Sequence, residues 1–183
     1  MSLVITGNPG VGKHTIANEI MKNEDYDLLD INKIAIESNN KEKDEISFEV
    51  DVENLKKYMK NLLTSKSLIV GHLAPYVIEK SDFNVAIILR KNPYKLAEIY
   101  QIRKYSNEKA KENLGSEILG IIAHDTISKF GDEKTLQIDN TKLTPQETIK
   151  KIQLMIENGN NSDEVDWLSE IKQKNDLEKF FDY

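Results

Sequence analysis

Residues 7 to 15 read Gly7-Asn8-Pro9-Gly10-Val11-Gly12-Lys13-His14-Thr15, directly after the apolar run Leu3-Val4-Ile5 and before the helix-forming stretch Ile16 to Lys22. A short buried strand feeding a glycine-rich turn and then a helix is the context in which the pattern G-x-x-x-x-G-K carries meaning. Glycines at 7, 10 and 12 let the backbone turn tightly and aim several N–H groups at one point. Those donors, with the positive end of the following helix, form a site for phosphate oxygens. Lys13 adds a mobile ammonium that can follow the outer phosphates of a nucleotide. Three of the chain's eight glycines fall between residues 7 and 12, so a chance strand-to-helix connection is a poor explanation.

After Lys13 comes His14, where Ser or Thr commonly presents a hydroxyl to Mg²⁺, and Thr15 follows one position later. Magnesium takes oxygen ligands and keeps several waters. Thr15 is therefore the candidate metal-contacting residue, and His14 reads as a helix-start residue. The arrangement resembles the adenylate kinase pattern G-x-P-G-x-G-K-G-T, in which a non-hydroxyl residue follows the lysine and the Thr stands where Thr15 does; Pro9 matches as well.

At 183 residues, with 39% hydrophobic and 31% charged residues, the chain reads as one soluble globular domain with a full core. No apolar run approaches the roughly 20 residues of a membrane span. Met1 to Thr6 lacks the charged and apolar regions of a secretory signal, so a cytoplasmic location is expected. Without cysteine there is no disulfide framework, thiolate metal site or thiol nucleophile. A net charge of −6 argues against broad nucleic-acid binding. Of 25 Lys and Arg residues only Arg90 and Arg103 are arginine. By itself such a pair reads as two surface ion pairs. Beside a phosphate loop, two planar forks kept among lysines read as phosphate contacts.

Along the chain, Asp27 to Ile31 reads as a short buried strand followed by a helical turn, Asn32 to Glu37. Ser38 to Glu45 reads as a polar loop and Ile46 to Val50 as a short extended segment. Asp51 can cap a helix whose core stripe is Val52, Leu55, Met59, Leu62 and Leu63. Ser67 to His72 and Asn84 to Arg90 are continuous apolar strands of the kind buried on both faces of a parallel sheet. A helix from Pro93 to Arg103 leads to a second, capped by Ser106 or Asn107 and extending toward Lys129, with His124 as a structural histidine. Leu136 to Ile138 is the last strand, and Thr144-Pro145 opens a helix bearing Ile149, Ile152, Met155 and Ile156. Repeated strand and helix predict an α/β fold, a doubly wound parallel sheet of about five strands with helices on both faces. Ligands of such sheets sit at the carboxyl ends of the strands, where the loop, His72 and Arg90 all lie. After Gly159 a polar, helical tail runs from 159 to 183, its aromatics expected to pack back on the domain.

A GTPase would carry an Asn-Lys-x-Asp base-reading segment, and Asn32-Lys33-Ile34-Ala35 lacks the aspartate. A motor ATPase would end its second core strand on an acidic pair, where this chain has Val70-Gly71-His72. Small nucleotide and metabolite kinases remain. The chain resembles adenylate kinase isoenzyme 6 and its archaeal counterparts. The matching segments are Gly7 to Thr15, Gly71-His72, Leu89-Arg90 with Asn92-Pro93, Arg103 to Ser106 with Glu112-Asn113 and Glu117, and Gln137 to Thr141 with Thr144-Pro145.

That resemblance covers about residues 1 to 158 and implies a P-loop nucleoside monophosphate kinase. Its cofactors would be ATP and Mg²⁺, with Gly10, Gly12, Lys13, His14, Thr15 and Arg103 on the nucleotide. It implies a monophosphate-binding region at about residues 30 to 51 and a lid at about 102 to 112. Arg90 would lie near the transferring phosphate, and His72 would match the histidine of an Asp-x-His strand end; Lys13, Arg90, Arg103 and His72 are the candidate catalytic residues. The implied activity is transfer from ATP to AMP or a related monophosphate. The other implied role is an ATP-dependent ribosome-assembly factor bound to a small-subunit platform protein. The chain departs from the family at Val70, in place of the aspartate, and at Ile99, in place of an arginine.

Overall fold

The computed structural model describes residues 1–38, 51–159 and 162–181. The expected segment Ile46 to Val50, and most of the expected polar loop before it, lie outside the described residues. The element order is β1 (Leu3–Thr6), α1 (Lys13–Ile20), β2 (Asp27–Asp30), α2 (Ile31–Ser38), α3 (Val52–Leu62), β3 (Ser67–Val70) and α4 (Ala74–Val77). There follow β4 (Val85–Arg90), α5 (Pro93–Ile102), α6 (Asn107–Ile118), α7 (Ile121–Phe130), β5 (Thr135–Asp139), α8 (Pro145–Asn158), α9 (Trp167–Gln173) and α10 (Leu177–Phe180). The five strands form one sheet in the order β2-β3-β1-β4-β5, every pairing parallel. This is the doubly wound parallel sheet, with helices on both faces, that the strand and helix alternation predicts.

Strand side chains alternate between faces, and the core divides accordingly. Leu3, Ile5, Leu68, Val70, Ile87 and Leu89 join α1, α5, α6, α8, α9 and α10 in one layer. Val4, Ile69 and Ala86 join α2, α3, α4 and α7 in the other. In α3 the Asp51 carboxylate accepts from the Asn54 N–H, as expected of a cap. Leu55 and Met59 are then fully buried, which contributes about 1.5–3 kcal/mol for each side chain. Val52, Leu62 and Leu63 lie at the margin of that layer. The helix α8 starts on a capping box between Thr144 and Glu147.

The helix expected to run from Ser106 to Lys129 is two helices. Ser106 caps α6, and Gly120, at φ +66°, breaks the path before α7. The break has a purpose in the packing. The Glu117 carbonyl accepts the Gly120 N–H at 3.1 Å and Arg90 Nη2 at 2.8 Å, so a side chain from β4 enters where a continuous helix would use that oxygen itself. The tail folds back on the domain: Trp167, Ile171 and Phe180 are buried and Phe181 packs on the same layer. Among the described residues no helix is long and apolar enough to cross a membrane.

Candidate active site

Residues 7–12 leave β1 at the carboxyl edge of the sheet, and Gly7, Gly10 and Gly12 all have positive φ (128°, 87° and 102°). At Gly7 the need is absolute, because a Cβ there would collide with the Leu89 carbonyl oxygen on β4. Gly12, left-handed, is the residue from which α1 starts. No acidic residue stands in the first turn of α1, so its free N–H groups face the cleft without a competing carboxylate.

Lys13 is 6% exposed, and its Nζ donates to the Gly7 carbonyl at 2.8 Å and the Asn8 carbonyl at 2.9 Å. Burial pushes its pKa down to about 8; Glu117 and Asp30 pull it up and the nearby Arg103 charge pulls it further down. His72 follows β3 by two residues. Burial, and then the Lys13 charge, hold its imidazole below the usual histidine range. A cleft of about 370 Å³ joins the loop and the first turn of α1 to Asn32, His72, Arg103, Tyr105, Lys109 and Asn113. That size lies within the range of small-molecule sites. An apolar groove of about 600 Å³ adjoins it, shares Asn32, His72 and Lys109, and adds Ala35, Ile36, Val52 and Leu73.

Arg103 ends α5 and is exposed, with its side chain on the cleft. The corner that carries it is fastened to the loop. Tyr100 Oη donates to the Pro9 carbonyl at 2.6 Å, Tyr105 stacks on Tyr100 with centroids 5.1 Å apart, and Lys109 Nζ lies 4.6 Å from the Tyr105 ring centroid. Of the predicted lid, 102–112, the structure thus makes a helix–turn–helix corner over the cleft.

The structure brings together Gly10, Gly12, Lys13, His14, Thr15, His72 and Arg103. Arg90 is not among the residues that line this cleft. It is buried behind the loop, with Nε donating to Glu117 Oε1, Nη1 to Gln137 Oε1 and Nη2 to the Glu117 carbonyl, each at 2.8 Å. Arginine scarcity therefore marks two different uses, one buried and one exposed. Val70, at the strand end where an acidic residue was sought, is fully buried in the layer under α1. Ile99 packs on that layer beside Gly10. His14 pairs with Asp30, and His124 sits exposed on α7 with Ser128 as its neighbour.

Two residues that the sequence placed in the matching segments without a role complete the site. Glu117, with no exposure, accepts Asn8 Nδ2 at 2.8 Å as well as Arg90. Its signal was a charge at the buried spacing of α6, three residues after Leu114 and beside Ile118. Asn140 Nδ2 donates to the Val11 carbonyl at 2.8 Å, while its buried Oδ1 has no partner among the described residues. That side chain borders a smaller pocket, with Val11, Leu143 and Pro145, on the other flank of α1.

Known proteins are similar to this chain along nearly its whole length. The family profile described as an AAA domain matches residues 3–120. A Methanococcus maripaludis protein named "Putative adenylate kinase" is 31% identical, over 93% of this chain and 97% of that protein. The chain belongs to the archaeal-type adenylate kinase family. A Thermococcus kodakarensis member of the same name is also 31% identical, over 87% of each chain. Among solved structures, the Bacillus subtilis YorR protein in complex with phosphorylated GDP aligns with a TM-score of 0.61 at 14% identity, over 86% of this chain and 96% of that one. A shikimate kinase from Bacteroides thetaiotaomicron aligns at 0.59 and 14%, over 86% and 98%. At such identities the two structures speak for the fold alone.

Proposed function

We propose that the chain is a nucleoside monophosphate kinase that transfers the terminal phosphoryl group of ATP to AMP or a related monophosphate. The observation that carries this reading is the buried Lys13 ammonium, held on the loop carbonyls beside a cleft that Arg103 and His72 share. A desolvated cation with no carboxylate bonded to it is poised to exchange two carbonyls for phosphate oxygens.

In the proposed reaction a phosphate oxygen of the acceptor attacks the γ-phosphorus of ATP. The bond from that phosphorus to the β–γ bridging oxygen breaks, and ADP leaves with the electron pair. The loop amides with Gly10 and Gly12, and the Lys13 ammonium, hold the donor phosphates; Arg103 neutralises charge on the group in flight, which is the main demand of phosphoryl transfer. His72, kept neutral, lies where cleft and groove meet and offers a hydrogen bond to the acceptor phosphate. The apolar groove suits the acceptor's base. Arg90 acts from behind, holding Glu117, rather than on the phosphoryl group.

The donor set fits a largely hydrated Mg²⁺: Thr15 and Asp30 are the nearby oxygen groups, and no cluster of three His, Cys, Asp or Glu that could enclose a metal occurs among the described residues. Bound there, Mg²⁺ would neutralise charge on the donor's outer phosphates. The corner at residues 103–106, settled over the cleft, would exclude water so that the monophosphate is the acceptor. That exclusion of water should keep hydrolysis without an acceptor slow; Val70, buried under α1, has no part in it.

The test is a screen of nucleoside monophosphates with ATP and Mg²⁺, following ADP, beside a control lacking acceptor. Acceptor-dependent ADP supports the kinase. ADP formed at the same rate without acceptor, and raised by the small-subunit platform protein, supports the assembly factor in its place.

A further inference from the structure

Glu117 gathers four donors from three separate parts of the chain. Oε2 accepts Asn8 Nδ2 at 2.8 Å; Oε1 accepts Arg90 Nε at 2.8 Å, the Lys91 N–H at 3.1 Å and Trp167 Nε1 at 3.0 Å. A carboxylate with no exposure persists only when its lone pairs are filled. Arg90 and Lys91 at the end of β4 would meet much of that need. The remaining two donors come from the glycine-rich loop and from the C-terminal segment, and they join those two through a single charged group.

The loop side of this link leads to the reacting end of the cleft. Asn8 is 3% exposed, its side chain holds Glu117, and its backbone carbonyl holds Lys13 Nζ at 2.9 Å. When Lys13 leaves the Gly7 and Asn8 carbonyls for phosphate oxygens, the residue it releases is the one bonded to Glu117. On the other side, α9 has anchors of its own: Ile171 in the core, Asn92 Nδ2 within 3.3 Å of the Glu170 carboxylate, and Tyr94 Oη donating to Asp176 at 2.7 Å. The Trp167 N–H is thus not needed to keep the segment in place.

We propose that Glu117 is a positioning residue for the phosphate loop and that Trp167 couples the C-terminal segment to it, so that loop occupancy is felt at α9 and a change at α9 is felt by the loop. This rests on reading residues 7–15 as the site of nucleotide phosphates. It assigns the segment after α8 a part in nucleotide binding rather than in packing alone.

The chain has one tryptophan, so emission excited at the red edge of the indole band, where tyrosine hardly absorbs, reports Trp167 alone. The full chain is titrated with a non-hydrolysable ATP analogue and Mg²⁺, with emission and calorimetric heat followed in parallel. The emission should change and saturate with the same midpoint as the calorimetric heat. Asn8→Ala should still bind, more weakly, and lose most of the emission change. Trp167→Phe removes the N–H donor and keeps an aromatic, though smaller, ring; it should weaken the analogue about three- to tenfold, up to the scale of one hydrogen bond to a charged group, and leave the KM for monophosphate unchanged. Tyr94→Phe, which removes one hydrogen bond between the segment and α5 without touching Glu117, should leave analogue affinity within about twofold. Calorimetric binding with silent emission overturns the coupling. So does equal weakening by Trp167→Phe and Tyr94→Phe, which would mean general loosening, or wild-type affinity in Trp167→Phe. No heat at all overturns the phosphate-loop reading and this proposal with it.

Discussion

His14 Nε2 lies 2.8 Å from Asp30 Oδ2 and ties the first turn of α1 to the end of β2. The two partners differ in setting, with side chains 50% and 8% exposed. Asp30 Oδ1 meanwhile accepts the Asn32 N–H at 3.1 Å and the Lys33 N–H at 3.3 Å, so the carboxylate also caps α2. Asp30→Asn keeps a carbonyl for the cap and removes the charge. Its turnover should fall about 10–100-fold, with half-maximal activity at higher Mg²⁺, as when a group that orients a metal's ligands is lost. Melting should change little, because an ion pair with a half-exposed partner contributes at most about 1 kcal/mol. An unchanged Mg²⁺ dependence would remove Asp30 from the metal's surroundings.

Lys13→Met separates catalysis from stability. Turnover should fall by a factor of about 10² or more, for loss of a cation on the moving phosphoryl group. Stability should move the other way at neutral pH. Burial lowers the folded-state pKa of Lys13 to about 8 from 10.5, so below about pH 8 the fold bears the full cost of a desolvated ammonium. That cost is on the order of a few kcal/mol and is relieved as pH rises from about 8 toward 10.5. The loss of two hydrogen bonds to Gly7 and Asn8 offsets part of the gain. Melting of both proteins without nucleotide or metal, from pH 7 to 10, should show the advantage of Lys13→Met shrinking with pH. A constant difference would mean that Lys13 titrates as an ordinary lysine.

The two arginines should respond oppositely. Arg103→Lys at an exposed corner should leave melting unchanged and lower turnover about tenfold, since an ammonium cannot present the planar fork. Arg90→Met leaves the Glu117 carboxylate buried without its charged partner and should destabilise by about 3–5 kcal/mol, and in the folded fraction it should weaken ATP binding through the loop while changing kcat little. Thermal melting beside kinetics distinguishes them. Equal turnover losses in two stably folded variants would place Arg90 on the phosphoryl group after all.

The loop, the sheet and most helix starts were legible because local chemistry dictates them: glycines where φ must be positive, Asp51, Ser106 and Thr144 where helix N–H groups need an acceptor, and continuous apolar runs for doubly buried strands. The break at Gly120 had a local sign in the glycine itself, but the guanidinium from β4 that takes up the Glu117 carbonyl there is distant in sequence. The role of Arg90 was hidden for the same reason. Its residue type announces a fork, while only the fold shows that the fork grips Glu117. Trp167 read as one aromatic among several in a polar tail, and nothing near it in sequence names the buried carboxylate that it meets.

Val70 carries the last prediction. The sequence reading placed a missing carboxylate here, one that would orient a metal-bound water for hydrolysis. In the fold Val70 pairs with Ile5 on β1 and Asp30 on β2, and its side chain is fully buried in the layer that holds Leu68, Ile87 and Leu89. Val70→Asp would thus put a carboxylate among aliphatic side chains, where an unpaired charge costs several kcal/mol or the group takes up a proton. A loss of about 3 kcal/mol should lower the melting temperature by about 6–12 °C for a chain of this size. Hydrolysis of ATP without acceptor, scaled to the folded fraction, should stay at the slow wild-type rate. Faster hydrolysis with wild-type melting would show instead that the side chain at this strand end reaches the metal, and that its loss in this chain is what restrains hydrolysis.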